Sequence, residues 1–297
     1  MTLSENQKIS IIIPTLNAEK ELPDLLAALH NQKQPFDELI IVDSASTDNT
    51  VAICKQDESI QLIQIDRKEF DHGGTRDMTL RMSKGDIVVF MSQDAVPANG
   101  EFLGNLIAPL AEDKVAVSTG RQLPKKNASY MEQLVRTFNY PAESQIRSKE
   151  DIPQMGIKTF FCSNVCAAYN RQIYLELGGF EHPLKTNEDM FFAARAINAG
   201  YRIAYASDAF VYHSHNFTLK EQYKRNFIQG YEIERHKDML SNVSQTSEGL
   251  KLFKFVSKDL LKKGRIFSFA RFGFDCAARY YGNKAGKQMF LNGETND

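Results

Sequence analysis

Three acidic segments far apart in the chain carry residue types suited to chemistry. They are Asp43 in Asp43-Ser44-Ala45-Ser46-Thr47-Asp48, Asp94 in Ser92-Gln93-Asp94-Ala95, and the pair Glu188-Asp189 after Asn187. Asp43 and Asp94 each follow an apolar run, Leu39-Ile40-Ile41-Val42 and Ile87-Val88-Val89-Phe90-Met91. Such runs read as buried strands, and open α/β sheets bind ligands at the carboxyl ends of their strands. There a carboxylate can accept a base imide or ribose hydroxyl, while small hydroxyl residues such as Ser44 let a ligand approach. A second carboxylate can hold Mg²⁺ or Mn²⁺ against a diphosphate, because these ions prefer oxygen ligands. An isolated Asp in a turn is ordinarily a turn former or helix cap. Two at strand ends point instead to a nucleotide, and to a nucleotide-sugar.

Glu188 and Asp189 stand at a helix start, where acidic side chains also stabilise the dipole. A sugar transfer with inversion needs one carboxylate to take the acceptor hydroxyl's proton, and a helix start beside the pocket would aim one there. His213 and His215 alternate, so on a strand they would point the same way and one could ligate the ion. In Phe70-Asp71-His72-Gly73-Gly74-Thr75-Arg76, paired glycines precede a helix and admit close backbone approach, and Arg76 can pair with phosphate or with the Asp43 network. There is no Walker A sequence and no Gly-x-Gly-x-x-Gly, which counts against P-loop NTPases and dinucleotide dehydrogenases.

The elements that must position these groups alternate. Strand-like runs over Ile9–Ile13, Leu39–Val42, Gln61–Ile65 and Asp86–Met91 are separated by helical stretches, among them one with Leu22, Leu25, Leu26 and Leu29 on one face. This predicts an α/β fold with a mostly parallel, Rossmann-like sheet flanked by helices. Residues 138–160, with Pro141, Pro153 and Gly156, read as a mobile loop, and a helix is expected from Thr75 to Ser83. Cys162 and Cys166 could share a helix face but read as two buried thiols, and the four cysteines suggest a reducing compartment. Past residue 217 strand signals vanish, so the chain divides into a catalytic domain at 1–217 and a helical extension at 218–297. Ten Lys and Arg stand against two Asp over 250–291, interleaved with Phe and Leu, in a chain whose net charge is -1. That stretch suits an anionic membrane surface, packing on the main core, or a homodimer interface. The overall charge gives no sign of nucleic-acid binding, and no run is long enough to span a bilayer. The amino terminus lacks a signal-peptide pattern, so a cytoplasmic location is expected, peripheral to the inner face of the membrane.

The segments Ile11–Asn17, Ile40–Asp48, Ser92-Gln93-Asp94 and Asn187-Glu188-Asp189, in this order, resemble family-2 inverting glycosyltransferases of the GT-A fold. The resemblance implies that Pro14, Thr15, Asn17 and Asp43 frame the nucleoside. It further implies that Asp94 is the metal-binding end of an Asp-x-Asp turn, that Asp189, beside Glu188, is the general base, and that His213 or His215 is a metal ligand. Ser44, Arg76 and Gln93 complete the expected donor pocket. Ser92 replaces the first acid of the turn, leaving fewer carboxylates for the ion, and the Gln-x-x-Arg-Trp signature of processive synthases is absent. The Phe70–Arg76 and His213–Asn216 segments are similar to bacterial rhamnosyltransferases of cell-wall and O-antigen synthesis. This implies a dTDP-β-L-rhamnose donor and a glycan acceptor on a polyprenyl diphosphate lipid. Competing readings are transfer of another UDP- or dTDP-hexose, a non-catalytic nucleotide-sugar-binding scaffold, and a nucleotidyltransferase. The last lacks its Gly-rich basic loop here.

Overall fold

The computed structural model describes residues 7–240, 243 and 246–295. Its strands are β1 (Ile9–Thr15), β2 (Glu38–Asp43), β3 (Ile60–Gln64), β4 (Ile87–Met91), β5 (Val96–Pro97), β6 (Val115–Leu123), β7 (Gln145–Arg147), β8 (Cys166–Asn170) and β9 (Arg202–Tyr212). The helices between them are α1 (Leu22–His30), α2 (Thr50–Gln56), α3 (His72–Met82), α4 (Phe102–Ile107), α5 (Tyr130–Asn139), α6 (Ile152–Met155), α7 (Arg171–Glu176) and α8 (Glu188–Asn198). Three more, α9 (Leu219–Arg235), α10 (Thr246–Lys262) and α11 (Ile266–Leu291), follow the last strand.

All the strands join one sheet in the order β3-β2-β1-β4-β8-β6-β9-β5, with β7 pairing β9 on a branch. The first four strands are parallel, β8 runs against both β4 and β6, and β6 lies parallel to β9. The carboxyl ends of β1, β2, β4, β6 and β9 therefore share one rim with the amino end of β8. Strand periodicity builds the core on both faces. In β1, Ile11 and Ile13 pack with Leu25, Leu29 and Phe102 of α1 and α4, while Ile12 faces Leu80, Tyr174 and Phe191 of α3, α7 and α8. Each such fully buried side chain contributes about 1.5–3 kcal/mol.

Past the sheet, α9 and α11 lie in backbone contact. A Cβ placed on Gly286 would fall 1.9 Å from the carbonyl oxygen of Phe227, so glycine is what permits the approach. A third cluster of Val135, Val256, Leu260 and Phe272 fastens α10 and α11 to α5. Among the described residues no helix is long and apolar enough to cross a membrane.

The structure corrects two local expectations and bears out a third. Residues 138–160 are not an open loop: β7 pairs with β9, and the buried Arg147 donates to the carbonyl of Phe161 at 2.6 Å. Helix α3 starts at His72 rather than Thr75, because the Asp71 carboxylate caps it by accepting from the Gly74 amide. Cys162 and Cys166 are the two buried thiols expected and share no helix, one lying ahead of β8 and the other opening it.

Candidate active site

The three acidic segments meet at the shared rim. Asp43 ends β2 fully buried, accepting from the Thr15 hydroxyl (3.3 Å) and from the Ser46 amide (3.0 Å) and hydroxyl. Ser44 donates its hydroxyl to the carbonyl of Thr15 at 3.0 Å and receives Arg67 at 3.4 Å. Asn17 sits at φ 50° and Ala45 at φ 62°, left-handed conformations that Asn tolerates and Ala resists. Asn17 accepts from the Thr47 amide at 2.9 Å, stitching the two loops together. Pro14, paired with Val42, stays partly exposed at the end of β1. Asp43 thus shapes the loop from behind; direct contact with a base requires the Ser46 hydroxyl to turn away.

Gln93 couples this loop to the acidic turn. It accepts from the Leu16 amide at 2.8 Å and donates to the Leu16 carbonyl at 3.1 Å. One residue on, Asp94 meets His213 Nε2 and His215 Nε2, each at 3.4 Å from a carboxylate oxygen. One ligand atom from each of the three residues lies within 4.8 Å of the others. Pairing of Val96 with Tyr212 is what brings the turn after β4 to the end of β9. Lys125 Nζ sits 3.4 Å from Asp94, and Gln122 holds His213 Nδ1 at 2.9 Å, fixing the ring's orientation. Burial would raise the Asp94 carboxyl, but the His213 bond and the charges of His213, Lys125 and His215 hold it well below the usual range. Burial lowers both imidazoles, His215 to about 4 with His213 adding to the effect, so both are neutral at pH 7. A carboxylate and two neutral imidazoles form a fit donor set for a divalent transition-metal ion.

The third segment closes the site. Asn187 precedes α8 in a left-handed conformation, φ 67°, and turns Glu188 and Asp189 toward β8. Glu188 is buried against Arg76 (3.2 Å) and receives the Asn164 side-chain amide at 3.0 Å. Asp189 accepts from the amides of Asn164 (2.9 Å) and Met190 (2.8 Å) and keeps part of its surface accessible. Ser92 donates its amide to the carbonyl of Val165 at 3.1 Å, so the Asp94 turn and the Asn164 segment are neighbours. Burial, then the adjacent Glu188 charge, push the Asp189 carboxyl up to about 7. Glu188 itself is held low, the cost of its burial being outweighed by Arg76 and His72. Two adjacent carboxylates are thus driven apart in acidity, which separates a fixed anion from a group able to exchange protons near neutrality.

The sequence pattern of Glycosyl transferase family 2 matches residues 10–178, more than half of the chain. The chain is a family 2 glycosyltransferase. It is 42% identical over 224 residues to the O-antigen chain rhamnosyltransferase RfbN of Salmonella typhimurium, covering 75% of this chain and 71% of that one. It is likewise 42% identical over 223 residues to WbaN of Salmonella anatum, an O-antigen chain rhamnosyltransferase, covering 74% and 70%. Among solved structures, the mannosyltransferase PcManGT of Pyrobaculum calidifontis, in complex with GDP-Man and Mn²⁺, shares the fold. Its TM-score is 0.65 at 17% identity, covering 98% of this chain and 89% of that one. TarS residues 1–349 of Staphylococcus aureus with UDP-GlcNAc superposes with TM-score 0.55 at 18% identity, covering 98% and 93%. The GT-A architecture with a helical carboxyl-terminal region follows.

In this transferase the sequence-derived residues Thr15, Asn17, Asp43, Ser44, Gln93, Asp94, Glu188, Asp189, His213 and His215 gather along one rim. Arg76 does not reach the Asp43 network or an open phosphate position; its guanidinium is buried against Glu188 and the carbonyl of His72. Lys125, Gln122 and Asn164 were invisible as site residues, since their roles come from β6 and β8 converging on the rim, and Arg67, past β3, meets Ser44 only in the fold. A cavity of about 530 Å³ opens at Asp94, His213 and Ser163, and its far wall is Gln222 and Arg225 of α9 with Arg279 of α11. The boundary at 217 therefore divides the sequence but not the cavity.

Proposed function

We propose that this transferase moves L-rhamnose, with inversion, from dTDP-β-L-rhamnose to a glycan on a polyprenyl diphosphate lipid in cell-surface polysaccharide synthesis. The names of the two Salmonella relatives support the sugar and the glycan. One observation carries the reaction class: the Asp94, His213 and His215 cluster shares its rim with Asp189, a partly accessible carboxylate poised near neutrality.

Thr15 and Asn17 take the base and ribose, Asp43 joining them once the Ser46 hydroxyl turns away, with Ser44 behind them and Gln93 holding their loop against the Asp94 turn. Asp94, His213 and His215 would hold the divalent ion, which when bound offsets charge on the departing diphosphate. Two imidazole nitrogens favour Mn²⁺ over Mg²⁺, which prefers oxygen ligands. Lys125, now on Asp94, is within reach to follow the diphosphate as a second cation. Asp189 accepts the proton of the acceptor hydroxyl as that oxygen bonds to the anomeric carbon. The carbon–oxygen bond to the diphosphate breaks on the opposite face, and dTDP leaves with the electron pair. Single displacement of this kind inverts the anomeric centre. Arg76 and Glu188 touch no reacting atom; they position Asp189 and tune it.

Purified enzyme incubated with dTDP-rhamnose, UDP-glucose, UDP-GlcNAc and GDP-mannose, against a panel of lipid-linked glycans, tests this reading by product mass. A deoxyhexose added from dTDP-rhamnose alone is the expected result. Transfer from a UDP- or GDP-linked hexose, with dTDP-rhamnose inert, would refute the donor assignment.

A further inference from the structure

Where α10 turns into α11 the surface is unlike the rest of the molecule. Phe267 is 94% exposed and Ile266 68%, with Leu261 also outside, although burying such side chains is what folding ordinarily favours. Lys258, Lys262, Lys263, Arg265 and Arg271 crowd the same turn against the single acid Asp259. Along α11 the exposed Phe267, Arg271, Phe274 and Tyr281 recur at i, i+4, i+7 and i+14, one outward stripe of aromatic and basic side chains.

Beside this turn a groove of about 550 Å³ runs between α5 and the start of α11. Arg265 and Arg271 line it, and neither has an acidic partner among the described residues; Arg265 instead lies over the Tyr130 ring at 4.1 Å. The groove is continuous with the active-site cavity, because His215, Phe217, Gln222 and Arg279 line both. Apolar tip, unpaired guanidinium groups and metal cluster thus lie in sequence along one path.

We infer that this turn dips into the apolar layer of a membrane and that Arg265 and Arg271 receive the diphosphate of a membrane-held prenyl diphosphate acceptor. The inference rests on the acceptor class proposed above and adds where that acceptor is held. Charge complementarity selects the occupant: a diphosphate matches two unpaired guanidinium groups, and an alkyl tail matches Phe267 and Ile266. A second copy of the chain matches poorly, since a two-fold contact would bring two patches rich in Lys and Arg together. The diphosphate at the groove mouth would leave its attached glycan pointing along the cavity toward Asp94.

The full chain is to be floated with phosphatidylcholine vesicles containing a small fraction of polyprenyl diphosphate, of polyprenyl monophosphate, or of phosphatidylglycerol matched in charge. At least tenfold tighter binding to the diphosphate vesicles is expected. Arg265→Gln with Arg271→Gln should erase that preference, and Phe267→Ser should weaken binding to every vesicle, while all variants keep wild-type circular dichroism and donor affinity. Equal binding to all three lipids, or preference surviving the double arginine change, would overturn the site. So would a dimer in solution that Phe267→Ser dissociates. Transfer to a soluble glycan without vesicle binding would sink this inference and spare the transferase reading, whereas diphosphate-selective binding without rhamnosyl transfer would do the reverse.

Discussion

The acidity of Asp189 offers a quantitative handle, because two neighbours act on it in opposite senses. With its carboxyl at about 7, roughly a tenth is ionised at about pH 6 and nine tenths at about pH 8. If Asp189 is the base, kcat should rise about tenfold over that span, measured at saturating donor and metal. In Glu188→Gln the like charge disappears, and the Arg76 charge that it masked now acts on Asp189 as well. At an effective dielectric of about 20, charges roughly 6 Å apart interact by about 3 kcal/mol, or about 2 pKa units before solvent screening reduces it. The acid limb should therefore move down by about 1–2 units. In Arg76→Gln it should move up, since the attractive charge is gone. Asp189→Asn should lower kcat by about 10²–10⁴ with KM little changed. Stability gives an independent reading. A carboxyl raised from 3.8 holds in the folded state a proton that the unfolded chain releases, so its contribution to stability falls as pH rises through that window. Asp189→Asn should accordingly raise Tm more at about pH 8 than at about pH 5. The gain is limited by loss of one of the two oxygens that accept from Asn164 and Met190. An acid limb that stays put in both Glu188→Gln and Arg76→Gln would refute the assignment.

Chelation should abolish transfer, Mn²⁺ should restore it better than Mg²⁺, and His213→Ala should raise the Mn²⁺ concentration needed; full turnover in excess EDTA would remove the metal role of Asp94. Arg76→Ala leaves Glu188 buried and unpaired, and should cost about 3–5 kcal/mol by urea unfolding, where a loss below about 1 would deny the ion pair its weight. Ala45→Gly relaxes a left-handed backbone and should stabilise by about 1 kcal/mol, whereas Ala45→Val should destabilise and weaken donor binding by calorimetry. Gly286→Val forces a side chain into the Phe227 carbonyl; a lower Tm and lost transfer are expected, and an unchanged thermal melt would show that α9 and α11 separate freely.

The parallel half of the fold was legible because β1, β2 and β4 are continuous apolar runs that end abruptly in polar residues, a pattern fixed by burial on both faces. The positions of Asp43, Asp94 and Asp189 at element ends were legible too, the first two from the apolar runs before them and the third from the helical pattern that follows it. The stretch 138–160 was not, since its order comes from Arg147 bonding distant carbonyls and from β7 adding to β9, neither of which leaves a periodic trace. Arg76 was misplaced because a guanidinium beside paired glycines looks the same in sequence whether it meets phosphate or Glu188. Lys125 and Asn164 gain meaning only when β6 and β8 arrive beside the Asp94 turn, contacts that no local spacing encodes.

The glycine-mediated seating of α11 on α9 has a consequence for how such enzymes diversify. In the proposed reading the donor is held by residues up to His215, while the opposite wall of the cavity is delivered by α9 and α11, whose mutual approach rests on glycine. Exchanging that pair between relatives could re-aim the same donor chemistry at a different glycan, with the seam at the end of β9 as the natural graft point.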